Sequence, residues 1–359
     1  MNQVEIRTDL ALEARESSAE RCEKEEGVSF EENFDEATGI RVTTVRILDR
    51  DGEEAIGKPM GTYITLEAES LEMADDDCHR QVSEQLAEHL RKLVQRAMGH
   101  VVRDKETKAG EKRTCVEKDG VENQSPRSLE EERDGFNSGS SVKNSSAILT
   151  VGLGNRAVTS DSLGPRVVDE LWITGHIEEA SPRISGIIPG VMAQTGMESA
   201  QIVRGIVAET RPQLVIAIDA LAARSVSRLG TTIQLTDTGI QPGSGVGNHR
   251  HSLTKESLGV PVIAIGVPTV VSAAAIVYDT AQSLSEVLRQ SAQMKEAADW
   301  IDDQSPSERY QLIRELVEPS LGQMMVTPKD IDERVSQLSH TIAEGMNIAL
   351  LGYEDSLDV

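Results

Sequence analysis

Three short, almost uninterrupted apolar runs constrain the fold of this chain more than any other feature of its sequence. They are Ala147–Val151, Leu214–Ile218 and Pro261–Ile265. Continuous apolar sequence of this kind is typical of parallel strands that are covered on both faces of a sheet. Helical patterns lie between the runs, one starting near Pro165 and one over Gly196–Thr210. This alternation predicts a doubly wound α/β fold, with a mostly parallel sheet and helices on both faces.

The flanking sequence predicts the other parts of the chain. Alternating segments at Ile40–Leu48 and Gly61–Glu67 predict a strand pair, and apolar residues spaced three and four apart predict a helix from Arg80 to about Val102. The polar stretch that follows has the composition of a disordered surface insertion. The predicted divisions are an N-terminal β/α region, this insertion, an α/β core and a C-terminal helical region, at residues 10–102, 103–146, 147–300 and 305–359.

The charge balance argues against two classes of partner. Among 359 residues, 36 are Lys or Arg and 60 are Asp or Glu, which gives a formal net charge of −24. Direct binding to nucleic acid and docking on anionic membranes both require clustered positive charge.

No apolar run reaches the length of about 18 residues that a membrane span needs. The start of the chain lacks the apolar stretch of a signal peptide, and Cys22, Cys78 and Cys115 form no CxxC pair, so a cytoplasmic protein with reduced thiols is expected.

Two carboxylates follow the strands at positions where this class of fold binds ligands. In open parallel sheets, the ligand site lies beyond the carboxyl ends of the strands. Asp219 directly follows the second apolar run, and Asp161 lies in the loop between the first run and the helix near Pro165. If these two strands are neighbours, the side chains can meet at one edge of the sheet. A close pair of carboxyl groups can share a proton, so that one acts as base toward water and the other as acid toward the leaving group.

Both aspartates also have purely structural interpretations. Asp161 could cap the helix that follows it, which from its spacing alone is the better interpretation. Asp219 could cap a short turn after its strand. Neither interpretation explains why both residues occupy matching positions in the topology.

Glycine-rich stretches raise the question of cofactors and metals. Gly152–Ala157 matches a loose dinucleotide fingerprint, but Thr159–Asp161 separates it from the helix and no acidic residue ends a strand about 20 residues later. Gly243–Gly247 lacks the Gly-Lys-Ser/Thr ending of a phosphate loop. His249 and His251 could join the two aspartates in a metal site, although loop histidines are more often solvated. We predict neither a bound cofactor nor a metal.

Several motifs of the chain occur together in a fixed order. Those of the core are Val151–Pro165, Pro189–Met192, Ile216–Ser225, Gly239–Asn248 and Pro261–Val271, and those near the ends are Arg7–Ala11 and Met325–Lys329. In this order they closely resemble the germination proteases, the spore proteases of endospore-forming bacteria. The chain departs from that family mainly in the polar stretch at 103–146, which is longer than the family usually carries.

The resemblance implies an endopeptidase that degrades small acid-soluble, DNA-binding spore proteins in the spore core during germination. It also implies a homotetramer, made as a zymogen that removes its own propeptide, residues 1–9, by cutting between Asp9 and Leu10. The two aspartates assigned as catalytic in the family correspond to Asp161 and Asp219. The turn that carries Gly152, Gly154 and Asn155 is then an active-site loop.

The chain also resembles the hydrogenase maturation endopeptidases, which share the Gly-x-Gly-Asn turn and acidic residues at the places of Asp161 and Asp219. Those enzymes use a histidine as third nickel ligand, whereas Gly266–Thr269 after the third strand contains no histidine. The alternatives left open are a metal-assisted endopeptidase of that kind, a dinucleotide-binding oxidoreductase, and a catalytically inactive module that binds spore proteins.

Overall fold

The computed structural model describes residues 8–20, 27–72, 76–113, 146–243, 251–289 and 306–352. The strands in these ranges are β1 (Val28–Asp35), β2 (Ile40–Ile47), β3 (Gly61–Glu67), β4 (Ala147–Gly152), β5 (Arg183–Ile187), β6 (Leu214–Ala223), β7 (Thr232–Thr236), β8 (Val262–Ser272) and β9 (Met325–Val326). The helices are α1 (Ala11–Glu20), α2 (Arg50–Ile56), α3 (Asp76–Arg113), α4 (Leu163–Glu170), α5 (Met192–Thr195), α6 (Ser199–Thr210), α7 (Lys255–Leu258), α8 (Ala273–Arg289), α9 (Pro306–Leu321) and α10 (Ile331–Leu351).

One sheet organises the described part of the chain. Its strand order is β1-β2-β3-β7-β8-β6-β4-β5, and β9 pairs with β8 outside this path. Strands β5, β4, β6 and β8 are parallel, whereas the other pairings are antiparallel. The predicted α/β fold with a parallel core is confirmed, but the sheet as a whole is mixed. Residues 224–231, which link β6 to β7, are too few for the crossover of a dozen or more residues that a parallel return needs.

The core lies on both faces of the parallel strands, as the apolar runs predict. Leu214, Ile216 and Ile218 of β6 belong to a cluster formed with α3, α4 and α10. Val215 and Ala217 point to the opposite face, where they pack with residues of α6. Because successive side chains of a strand point to opposite faces, both layers of helices are needed to exclude water from the side chains of β6.

The N-terminal β/α region extends the same sheet. Strand β3 pairs with β2 on one side and with β7 on the other, and its residues Thr62–Leu66 are all buried. Helix α3 continues to Arg113, beyond the predicted end at Val102. Its added residues are rich in Lys, Glu and Arg, which favour helix without an apolar face, so residues 103–113 of the predicted insertion continue the helix. The remaining insertion residues, 114–145, lie outside the described ranges.

Strands β1 and β5 had no sequence signal. Strand β1 pairs only with β2, and its second half is exposed. Strand β5 is a short edge strand with several exposed side chains. Edge strands need no continuous apolar sequence, so a search for apolar runs does not find them.

The C-terminal prediction of a helix at Asp330–Leu351 is confirmed by α10. Across the described ranges, no helix is both long enough and apolar enough to span a membrane.

Candidate active site

A tight turn after β4 places Asp161. Gly154 has φ of 111°, and a Cβ atom added there would lie 2.0 Å from the carbonyl oxygen of Asp161. The Asn155 amide nitrogen donates to that same oxygen at 2.8 Å. The predicted active-site loop therefore acts through its backbone, since only glycine permits this approach to the main chain of Asp161.

The first turn of α4 packs directly against the residue that follows β4 and against the middle of β6. A Cβ atom on Gly164 would come within 2.4 Å of the Leu153 oxygen and 2.5 Å of the Ile218 oxygen. One on Gly152 would come within 2.4 Å of the Gly164 oxygen. This close packing brings the Asp161 loop against the neighbouring strand β6.

Asp161 does not cap the helix that follows it. It ends a short 3-10 helix, Thr159–Asp161, and the N-cap residue of α4 is Ser162, so the structural interpretation of Asp161 was wrong. The hydroxyl of the buried Thr269 donates to the carbonyl oxygen of Ser160 at 2.6 Å. The loop is thus also held from β8.

Asp219 lies inside a strand rather than just past its end. Strand β6 continues to Ala223 because its residues beyond Asp219 still pair with β8, so the predicted strand end and the turn-capping interpretation were wrong. The condition that the two strands are neighbours is met, since β4 pairs with β6 as far as Gly152 opposite Ile218. Asp219 is therefore the first residue of β6 beyond the stretch that pairs with β4. Its side chain is 5% exposed, and its Oδ1 accepts from the Ala220 amide at 3.0 Å.

A cavity of about 250 Å³ brings the predicted residues together. Asp161 and Asp219 both line it, with Gly154 of the tight turn and Thr269 of β8. Asp9, at the predicted cleavage position, lines the same cavity. Three acidic residues that are far apart in the sequence thus border one small volume.

The segment around Asp9 is docked on the end of β6. The Asp9 amide donates to the Ala222 oxygen at 3.2 Å, and the Ala222 amide donates to Asp9 Oδ2 at 2.9 Å. Leu10 is fully buried, and its amide donates to Thr8 Oγ1 at 3.0 Å. Residues 1–7 of the predicted propeptide lie outside the described ranges.

Two further residues contact this segment and were missed from the sequence. The Lys58 ammonium donates to the Thr8 oxygen at 2.8 Å and to the Asp9 oxygen at 3.3 Å. Gln234 Nε2 donates to the Asp9 oxygen at 3.3 Å, and its Oε1 accepts from the Ala11 amide at 2.7 Å. Neither residue stands in a motif that would indicate this contact.

A cluster of charged residues anchors α1 to the residues that follow β6. Glu13 is fully buried and accepts from the backbone amides of Arg224 and Ser225 at 2.8 and 3.0 Å. Arg228 lies 3.6 Å from Glu13 and 2.6 Å from both Glu16 and Glu67. Burial raises the pKa of Glu13, and the hydroxyl of Thr8, the two backbone amides and Arg228 act against that rise. Burial also raises the pKa of Glu67, with Arg228 opposing it.

The metal hypothesis concerned two histidines of the glycine-rich stretch. His249 lies outside the described ranges, and the exposed His251 is paired with Glu198 rather than directed at Asp161 or Asp219. Within the described residues, no group of three or more His, Cys, Asp or Glu side chains is placed to hold a metal ion.

Comparison with known proteins first defines the class of this α/β protein, which is that of the peptidases. The family model for germination protease matches residues 3–107, 108–300 and 286–356. A germination protease of Caldanaerobacter subterraneus is 41% identical over 96% of this chain and 94% of its own length. That of Bacillus subtilis is 34% identical over 98% of this chain and 94% of its own length. The chain belongs to the germination protease family.

Among solved structures, the NiFe hydrogenase maturation protease HycI from Thermococcus kodakarensis is similar at 17% identity. The match covers 57% of this chain and 95% of that one, with a TM-score of 0.28. At that score the likeness carries no argument about mechanism.

Proposed function

We propose that this chain is an endopeptidase in which Asp161 and Asp219 act as an acid–base pair, and that it cuts its own chain between Asp9 and Leu10. The observation that carries the proposal is the cavity that all three aspartates line. Membership of a peptidase family supports the reaction type.

In this mechanism, one carboxylate removes a proton from a water molecule as its oxygen bonds to the Asp9 carbonyl carbon. The carbonyl electron pair moves to oxygen, giving a tetrahedral intermediate. The other carboxyl group gives a proton to the Leu10 nitrogen as the C–N bond breaks. The products are a carboxylate on Asp9 and a new amino terminus on Leu10, so one water is consumed for each bond cut.

The finer assignments follow from the resemblance to the family and remain part of the proposal. Residues 1–9 would be a propeptide, and the mature enzyme would be a homotetramer of the spore core. Its substrates would be small acid-soluble spore proteins, whose cleavage sequences resemble the segment around Asp9. The acidic net charge of −24 disfavours direct contact with the DNA that those proteins bind.

The test uses the full chain, its Asp161→Asn and Asp219→Asn variants, and a matched Asp332→Asn control. Asp332 is exposed on the first turn of α10. Each protein is incubated with a purified small acid-soluble spore protein, with and without chelator, and the products are mapped by mass spectrometry. Removing one partner of the acid–base pair should slow cleavage about 10²–10⁴-fold, while the control keeps its rate.

Self-processing is followed in the same incubations as a new amino terminus at Leu10. Full activity in both active-site variants would reject the aspartate pair, and an unchanged intact mass of the wild-type chain would reject self-processing. Loss of activity on chelation would favour the metal-assisted alternative.

A further inference from the structure

We propose that Lys58 and Gln234 bind the carbonyl oxygen of the peptide bond that is cut, and that they stabilise the negative charge which develops there. The inference rests on the proposed function, because it takes Asp9–Leu10 to be that bond. It assigns a catalytic role to Lys58 of the loop after α2 and to Gln234 of β7, neither of which lines the cavity of Asp161 and Asp219.

The first donor is held in place by its own loop. Gly57 alone separates Lys58 from the end of α2, and the loop after Lys58 is held by two hydrogen bonds. The Met60 amide donates to Glu53 Oε1 at 2.7 Å, and the Tyr63 hydroxyl donates to the Pro59 oxygen at 2.8 Å. The Lys58 ammonium therefore reaches the Thr8 and Asp9 oxygens from a fixed base.

The second donor is positioned by the sheet. Gln234 lies on β7 opposite Gly266 of β8, and its side chain is buried. A side-chain amide offers both a donor and an acceptor, and here both are used on one stretch of main chain. The NH2 group faces the Asp9 oxygen and the carbonyl oxygen accepts from the Ala11 amide. Gln234 thus recognises the backbone on both sides of Leu10, whatever side chains the substrate carries.

The donors and the carboxylates approach Asp9 from different volumes. Lys58 and Gln234 line a cavity of about 430 Å³ that does not include Asp161 or Asp219 among its walls. The carboxylate cavity and this donor cavity share Asp9 and Leu221. Donors outside the carboxylate cavity can stabilise the negative charge on the Asp9 oxygen, which an ionised carboxylate would otherwise raise in energy.

The lengths of the two hydrogen bonds fit a transition-state role. Both donors lie 3.3 Å from the Asp9 oxygen, which is longer than a strong hydrogen bond. The oxygen moves and gains charge as the carbon becomes tetrahedral, and only contacts that strengthen at that stage raise the rate of the chemical step. A cation and a neutral donor preset around this atom meet that requirement.

The experiment measures the first-order rate at which full-length chains acquire a new amino terminus at Leu10. The variants are Lys58→Met and Gln234→Glu, which keep side-chain size but remove the donor. The matched controls are Lys92→Met and Gln282→Glu, at exposed positions of α3 and α8. We expect each active-site variant to lose about 10²–10³-fold in rate, with both controls near wild type. Lys58→Arg, which keeps a cationic donor, should recover part of the loss.

A second measurement separates charge stabilisation from a merely structural role. Each full-length protein is assembled by native chemical ligation at Cys22, which joins synthetic residues 1–21 to residues 22–359, once with the normal Asp9 carbonyl and once with that oxygen replaced by sulfur. Sulfur accepts hydrogen bonds poorly, so wild type should lose at least about tenfold more rate on the replacement than Lys58→Met or Gln234→Glu does. Thermal melting of every variant shows whether it has folded.

The outcomes distinguish this inference from the proposed function. If wild type cuts between Asp9 and Leu10 and the two donor variants cut as fast as their controls, or show the same sulfur effect as wild type, only the role of Lys58 and Gln234 is overturned. If wild type makes no cut at that bond, the proposed cleavage site is overturned and the inference with it. A rate loss in both donor variants with a reduced sulfur effect supports the proposal.

Discussion

The two halves of the sheet contribute different things to the candidate site. The parallel half, β5-β4-β6-β8, holds Asp161 and Asp219 by close backbone contacts at the end of β4 and in the middle of β6. The antiparallel half, β1-β2-β3-β7, ends in an exposed edge strand, and it contributes Gln234 to the contact with the docked segment. The parallel half therefore fixes the reactive groups and pairs with Asp9 through Ala222, and the antiparallel half adds a side-chain contact to the same segment.

The comparison also shows where the two halves are joined. Arg228 follows the end of β6 and pairs with Glu67 at the end of β3, and with Glu13 and Glu16 of α1. A single guanidinium thus connects both halves to the helix that follows the predicted cut. The relative position of the carboxylates and the bond at Asp9 depends on this join.

Removing the Arg228 guanidinium, which connects the two halves, should have the largest effect on stability. In Arg228→Met, the fully buried Glu13 loses its cation and three carboxylates remain close together, so we expect a loss of about 3–5 kcal/mol in the free energy of unfolding. The measurement is urea denaturation near neutral pH. Arg46→Met is the control, because its pair with Glu31 is exposed and such pairs contribute about 1 kcal/mol or less. Equal losses of unfolding free energy in both variants would show that Arg228 contributes no more than an exposed ion pair.

Filling a close contact in the parallel half should have the next largest effect. Gly164→Ala places a methyl group within 2.5 Å of two backbone oxygens, and we expect a loss of about 1–3 kcal/mol in unfolding free energy from overpacking. Gly205→Ala on α6 is the control, since a Cβ atom there meets nothing within 4 Å. That change should stabilise the helix by about 0.5–1 kcal/mol. The same urea experiment measures both, and destabilisation of the control as great as that of Gly164→Ala would argue against the packing explanation.

The smallest effect is a dependence on pH at the docked helix. Burial raises the pKa of Glu13 above its ordinary value of 4.5, so the folded chain holds this proton more tightly than the unfolded chain. The stabilisation that this gives is fully present below pH 4.5 and declines as pH rises through the folded-state pKa. The unfolding free energy of wild type minus that of Glu13→Gln should therefore fall from acid to neutral pH. A rise in this value (wild type minus variant) over the same range would show that the pKa of Glu13 is lowered instead.

Much of the parallel half could be predicted because its signal is local. Continuous apolar runs identify β4, β6 and β8, and a carboxylate in the sequence after two of them locates Asp161 and Asp219. The end of β6 was misplaced because its pairing with β8, not its own sequence, extends it to Ala223. The cap of α4 was misplaced because the 3-10 turn before it moves the N-cap to Ser162.

The donors could not be predicted, because their role depends on tertiary contacts. Gln234 stands on an ordinary alternating strand, and Lys58 in a short surface loop. What gives them significance is a backbone oxygen at Asp9, which is 49 residues from Lys58 and 225 from Gln234 along the chain. The segment at Arg7–Ala11 was recognised only through its resemblance to a family. Its docking against β6 depends on pairing with Ala222, for which neither stretch carries a sequence pattern.

The complete burial of Leu10 bears on what happens after a cut at that residue. Hydrolysis would release the upstream residues, but the fresh terminus would stay wedged in place, tethered through Glu13 and Glu16 to Arg228. The newly cut enzyme would then still carry the segment that begins at Leu10 in its own binding site. Turnover of a second chain would have to wait until helix α1 leaves, so clearing the cleft, rather than making the first cut, would set the moment of activation.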